Sequence, residues 1–196
     1  MQAPVSKRRR FLSRPEWMVL GGLFLLVVST VIPGWWWWQQ QQQLSMARAD
    51  LRVLVESAQR YNREYGSWPG AASSPVQDIR FGVGLSNARV MNILRALEGP
   101  GNENHAGNEQ QIVFLEVKPY RVGWSGLDEG GVFLDPWGTP YQIVFDSNFD
   151  NVCEVANSIY GRLIGQGLAI WSCGPDQRSD TADDLLAWKL SSALAP

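Results

Sequence analysis

Residues 17–32 carry no charge and are almost wholly apolar, and Pro33-Gly34 and four consecutive tryptophans at 35–38 follow them directly. Counted through the tryptophans, the run is 22 residues long. That is enough for a helix rising ~1.5 Å per residue to cross a hydrocarbon core of ~30 Å. Arg8, Arg9, Arg10 and Arg14 precede the run, which by the positive-inside rule predicts a cytoplasmic N-terminus. The tryptophans suit an aromatic belt at the far interface. A cleaved signal peptide also has a basic flank and an apolar core, but it ends in small residues near its cleavage site. Here Pro-Gly, four tryptophans and five glutamines stand in that place. The reading is an uncleaved single-pass anchor, with 1–16 cytoplasmic, 17–38 in the bilayer, and 39–196 as one exported domain.

Charge is divided along the chain in the same way. Residues 1–43 carry a net +4, and the other 153 residues hold 12 basic and 18 acidic groups, a net −6. Nucleic-acid binding needs Lys and Arg to neutralise phosphate, so the domain is not expected to bind nucleic acid. Cys153 and Cys173 both lie in the exported part. That compartment permits a disulfide, and two free thiols are the other reading. His105 is the only histidine, which leaves little for a His-based zinc site or a Ser-His triad. In its Gly/Asn/Glu-rich loop it is expected to be exposed.

Leu44, Ala47, Leu51, Leu54, Ala58, Tyr61 and Tyr65 recur at steps of three and four, which predicts an amphipathic helix over 44–65. Glu56 and Arg60 are spaced to pair at i,i+4. Gly66 suits its C-cap, and Pro69 cannot continue it. The glutamines at 39–43 either join this helix to the anchor as one rod kinked near Pro33 or form a polar linker. Residues 66–85 read as loop. Ser86 or Asn87 can cap a second helix bearing Val90, Met91, Leu94 and Leu97, ended by Gly99-Pro100. A flexible stretch follows to Glu109. Strand-like runs cover 112–117, 141–145 and 163–171. Helices followed by strands argue an α+β fold with one antiparallel sheet.

The densest chemistry lies in Trp171-Ser-Cys-Gly-Pro-Asp-Gln-Arg-Ser-Asp-Thr-Ala-Asp-Asp184, with four carboxylates and several hydroxyls. Such a set repels itself unless a cation sits among it, and Ca²⁺ takes six to eight oxygens of these kinds. A metal-free acidic turn is the other reading. Asp146-Ser-Asn-Phe-Asp150 starts like an EF-hand loop but lacks the Gly at its sixth position and the Glu at its twelfth. It reads as a polar hairpin turn.

Taken in order, several segments resemble the major pseudopilin of type II secretion systems and its type IV pilin-like relatives. Glu16 lies at the start of the apolar run, Pro33 follows by 17 positions, and Tyr61 by a further 28. Tyr61-Asn-Arg-Glu-Tyr-Gly-Ser-Trp-Pro69 resembles the family's helix exit, and Asp135-Pro-Trp-Gly-Thr-Pro-Tyr141 its turn into the sheet. Ser172-Cys-Gly-Pro-Asp176 with Asp183-Asp184-Leu185 and Trp188 resembles its calcium loop. The resemblance implies a pilin-like fold: a long N-terminal helix, a small antiparallel sheet and a C-terminal calcium loop.

It implies one Ca²⁺ held by the Asp176 and Asp183 carboxylates, the Thr181 hydroxyl, and the carbonyls of Cys173 and Arg178. It further implies a non-enzymatic subunit of a periplasmic pseudopilus, anchored in the bacterial inner membrane. Its partners would be copies of itself or other pseudopilins, inner-membrane secretion components and the bilayer.

The chain departs from the family in three places. Gln177 stands where the family has Gly, Asp180 is an additional carboxylate, and Phe11 replaces the Gly at the prepilin cleavage position. The usual peptidase is therefore expected not to cut between Phe11 and Leu12. A native N-terminus at Leu12 would overturn this. Without cutting, a non-polymerising membrane-anchored scaffold or binding protein is the second reading. A hydrolase using Asp176 and Asp183 as acid and base is the third. Trp68, Trp124 and Trp137 could line a sugar site but read more simply as core.

Overall fold

The computed structural model describes residues 14–70, 77–155 and 158–192. The basic cluster at 7–10 and the Phe11–Leu12 junction lie outside the described residues. The chain forms two compact units, one ending at Gln41 and one beginning at Gln42.

Helix α1 runs Arg14–Tyr65, includes Pro33, and is helical through the glutamines at 39–43. The glutamines are therefore helix and not linker. In its first unit the large side chains are exposed, among them Leu23 and Leu26 at 62% and 64%. One described helix is long and apolar enough to cross a membrane, and it is this one.

In the second unit α1 behaves as its periodicity requires. Ala47, Leu51, Leu54, Ala58 and Tyr61 are buried, which is the expected stripe of a helix packed on one face. The helix ends at Gly66, whose φ of +67° suits a left-handed cap and whose N–H donates to Asn62 O at 2.8 Å. No Glu56–Arg60 ion pair forms. Arg60 lies instead over the Phe114 ring, 5.9 Å from its centre.

The main sheet is wholly antiparallel, in the order β1 (Ile79–Phe81), β4 (Gln142–Phe145), β7 (Leu168–Ser172), β8 (Leu185–Leu186). Two hairpins stand beside it: β2 (Gly126–Leu127) with β3 (Phe133–Leu134), and β5 (Val152–Val155) with β6 (Gly161–Ile164). Alternation along β4 and β7 splits the core between the two faces of the sheet. Ile143, Phe145, Leu168 and Ile170 join α1 and α2 (Ala88–Leu94) on one side. Val144, Ala169 and Trp171 join Cys153, Val155 and Leu186 on the other. There Tyr160, Trp171 and Trp188 meet edge to face, with centroids 5.5–6.2 Å apart. A short helix α3 (Ala187–Ser192) follows β8.

Several expectations change. The run at 112–117 is not a strand: Phe114 and Leu115 are buried and both donate to Leu94 O, so the segment docks on the end of α2. The run at 163–171 is two strands, interrupted by Gly165 at φ +76°. The loop at 66–85 contains β1, which exists by pairing with β4. Helix α2 stops at Leu94, short of Gly99, and Leu97 is exposed.

Ser86 Oγ accepts from Ala88 N at 3.2 Å, while Asn87 does not cap the helix with its side chain. Asn87 donates instead to Phe133 O and Tyr141 O and accepts from Phe133 N, each at 2.9 Å. The stretch expected to be flexible is tied down by buried Asn102 and Asn108. Asn108 donates to Ile93 O and Ile112 O and accepts from Ile112 N and Tyr65 OH. His105 is only half-exposed, and its Nδ1 is buried without a partner. The turn after Asp146 is held by that carboxylate, which accepts from Asp150 N and Asn151 N. It connects β4 to β5, which are not paired, so it is a turn but not a hairpin.

Candidate functional site

The acidic segment leaves β7 at Ser172 and returns to the sheet at Leu185. Its entry depends on a turn distant in sequence. Asp135 is fully buried. One carboxylate oxygen accepts from Trp137 N and Thr139 N, at 3.1 and 2.9 Å. The other accepts from the Thr139 hydroxyl at 2.5 Å and the Ser172 hydroxyl at 2.6 Å. Burial pushes this carboxyl above its ordinary pKa, against the bonds from Ser172 and Thr139 that pull it down. Ser172 Oγ also accepts from Gly174 N at 3.1 Å. A second tie comes from Gln177, whose Nε2 donates to Trp137 O at 2.8 Å. Gln177 itself takes a positive φ of 60°, the conformation a glycine would adopt most readily.

Gly174 brings the two arms of the loop together. At its φ of +68°, a Cβ would collide with the carbonyl oxygen of Asp183, so only glycine allows this approach. Beyond it, Asp176 N donates to Asp183 Oδ2 at 3.1 Å, and Asp176 Oδ1 accepts from Arg178 N at 2.8 Å. The Thr181 hydroxyl lies 2.8 Å from Asp183 Oδ1, 3.1 Å from Arg178 O and 3.3 Å from Asp184 Oδ1. One hydroxyl hydrogen cannot serve three acceptors. Those oxygens are therefore crowded beyond what the Thr181 proton can satisfy. The Thr181 bond is also the main cause of an Asp183 pKa below the ordinary carboxylate value.

Of the expected ligands, the fold gathers Asp183, Thr181 and the Arg178 carbonyl around one hydroxyl. Asp176 joins them through its backbone N–H, while its carboxylate turns to Arg178 N. Cys173 is buried with a free thiol, as is Cys153, so the two are not bonded to each other. Burial raises both thiols to about 12. Among the described residues, no three His, Cys, Asp or Glu side chains converge as a metal-holding group. The donors that do converge are all hard oxygens, the type Ca²⁺ takes. No curated protein, family model or solved structure matches this chain.

Two acids in the loop serve the β5–β6 hairpin. Asp180 accepts from the Ser158 hydroxyl and from Ile159 N, and Asp184 accepts from the Tyr160 hydroxyl and from Asp180 N. Asp180 is thus a bonded cross-link rather than a free surface carboxylate. Sequence reading missed these ties, and it missed Ser172, because their partners are distant in the chain. The alternation of hydroxyl and acid at 179–184 is the only local hint.

In an acid/base pair with Asp176, Asp183 would suit the base and not the acid. A general acid needs a raised pKa, and Asp183 is pushed the other way. The expected aromatic core is also only partly realised. Trp68 stacks on Phe145 at 5.4 Å, whereas Trp124 is 63% exposed.

Proposed function

We propose that this chain is a non-enzymatic, membrane-anchored structural subunit, similar to the major pseudopilin of a type II secretion system. In this reading the N-terminus is cytoplasmic and the α+β unit lies in the periplasm. The subunit adds to a pseudopilus beside copies of itself or other pseudopilins, at an inner-membrane secretion assembly. The observation that carries the reading is the division of one helix. Leu51, Leu54 and Ala58 are buried on the sheet, while Leu23, Leu26 and the four tryptophans at 35–38 are left uncovered. An apolar stretch of that length needs lipid or sister helices around it. Head-to-tail contacts between such helices build an open filament where the rotation between neighbours does not close into a ring.

One Ca²⁺ in the acidic loop belongs to the same proposal. Asp183, Thr181 and the Arg178 carbonyl are the donors that the crowding around the Thr181 hydroxyl supports, with Asp176 and the Cys173 carbonyl completing the set after a turn of the Asp176 side chain. Bound there, calcium stabilises the loop and takes no part in catalysis.

The test replaces Leu23, Leu26 or both by cysteine in the full chain with Cys153→Ser and Cys173→Ser, expressed in an inner membrane and exposed to a thiol oxidant. Crosslinked species in this design stop at dimers for one cysteine, and a ladder requires both cysteines in the same chain. A ladder from the paired variant supports the filament subunit. Monomer alone, with the span still in the membrane fraction, favours the non-polymerising anchored scaffold, and recovery in the soluble fraction rejects both.

A further inference from the structure

Four consecutive tryptophans on a helix share no face. α1 is helical through residues 35–38, and successive side chains on an α-helix turn by about 100°. Trp35, Trp36, Trp37 and Trp38 therefore point to four sides, and no gap around the helix is wider than about 100°. Their Cα atoms span only about 4.5 Å of axial rise, so the indoles form a collar at one level. Their exposures are nearly equal, at 57, 64, 64 and 56%. No side of the collar is covered.

The all-round arrangement indicates what surrounds it. A partner helix covers one side of its neighbour, and helix contacts in lipid favour small residues that let the backbones approach. An indole on every side holds a second helix off in every direction. No charged residue occurs between Glu16 and Arg48, so the collar and its flanks offer a protein partner no ion pair. The headgroup layer of a bilayer encloses a helix continuously, and tryptophan is enriched there. The level of the collar agrees. Trp17, itself 63% exposed, precedes Trp35 and Trp38 by 18 and 21 positions. In a helix that is a rise of about 27 and 32 Å, on either side of the ~30 Å thickness of a hydrocarbon core. Apolar residues 17–32 lie below the collar, and five glutamines at 39–43 follow it.

We infer that the collar at 35–38 is embedded in lipid headgroups around its whole circumference, and that copies of α1 do not touch at this level. The inference rests on the reading of α1 as a bilayer anchor and deepens the proposed function. The collar sets the depth of the anchor and leaves its rotation free. Contact between copies is left to the segment before Pro33 and to the α+β unit.

The test places an environment-sensitive fluorophore on Trp35→Cys, Trp36→Cys, Trp37→Cys and Trp38→Cys in four separate full-length proteins, each also carrying Cys153→Ser and Cys173→Ser. A fifth protein carries the probe on Leu26→Cys, near the middle of the span. Each is reconstituted in vesicles of phosphatidylethanolamine and phosphatidylglycerol, with lipid spin-labelled either near the headgroup or deep in the acyl chain. The inference expects the shallow label to quench all four collar probes, to within about twofold of one another, and the deep label to quench the probe at 26. Shielding on one side, as at 35 and 38 with 36 and 37 quenched, assigns that side to a protein partner and overturns the inference. Quenching at 26 with none at 35–38 overturns the collar and leaves the anchor standing. Quenching at none of the five positions overturns the anchor and the collar with it.

Discussion

Ser172 donates its hydroxyl hydrogen to the buried carboxylate of Asp135 at 2.6 Å, joining the exit of β7 to a turn 37 residues earlier. The acidic loop starts from that bond. Removing the hydroxyl by Ser172→Ala should cost about 1–3 kcal/mol, the usual range when a buried polar partner is left unsatisfied. Asp135→Ala should cost more, because it strands two N–H groups and the Thr139 hydroxyl as well. The double variant should lose less than the sum of the two, since the residues share one network. Urea unfolding of the detergent-solubilised chain measures all three, and strict additivity would contradict the network.

Acid should act in two opposed phases. Burial raises the Asp135 and Asp50 carboxyls above their ordinary value of 3.8. The folded state therefore holds their protons more tightly, and their contribution is complete below 3.8 and lost as pH rises through their folded values. Asp183 is lowered, so its contribution is present above 3.8 and lost as pH falls through its folded value. Urea midpoints should rise on mild acidification from neutral pH and fall again in stronger acid. Asp135→Asn should flatten the rise. A wild-type midpoint that only falls from neutrality downward would sink this account.

If calcium fills the acidic loop, a hundredfold excess over Kd adds about 2.7 kcal/mol to stability. The melting temperature should rise with calcium in the wild type and stay level in Asp183→Ala and Asp176→Ala. Asp180→Asn should retain the calcium response but melt lower at every concentration, because Asp180 anchors the β5–β6 hairpin. Equal wild-type melts in calcium and in chelator would remove the metal from the proposal.

Adjacent positions on α1 should respond oppositely. Leu54 is 1% exposed and Val53 45%. Leu54→Ala should cost about 2–5 kcal/mol through lost burial and a residual cavity, while Val53→Ala should stay within about 0.5 kcal/mol. Comparable losses at both would mean that the helix does not pack by this face.

The thiols should be inert in the native state. Both are buried, with pKa values raised to about 12, and only the thiolate reacts readily. Maleimide labelling near neutral pH should therefore be slow for folded protein and fast in denaturant. Rapid labelling of native protein would contradict the burial.

The periodic segments were the most legible part of the sequence. The stripe through Ala47, Leu51, Leu54, Ala58 and Tyr61, the Gly66 cap and the strand at 142–145 all form as the pattern requires. Each is specified by neighbours within a few residues. The run at 112–117 has strand chemistry but joins none of the described strands, and it closes on Leu94 O instead. Of the candidate loop, the sequence disclosed the oxygen donors but not their wiring. That Asp180 would serve Ser158, or Gln177 the Trp137 carbonyl, depends on partners 22 and 40 residues away.

Local chemistry thus determined the long apolar helix, the amphipathic continuation of the same helix, the α+β order and the acidic loop, because helix period, glycine caps and charge density act over short stretches of chain. Tertiary structure decided which face of the sheet each core residue occupies, that the cysteines stay apart, that Asn87 bridges strands rather than capping a helix, and that Val122 and Trp124 remain uncovered. Those outcomes follow from long-range strand pairing, and a residue's own neighbours carry no information about which distant backbone group will need its hydrogen bond.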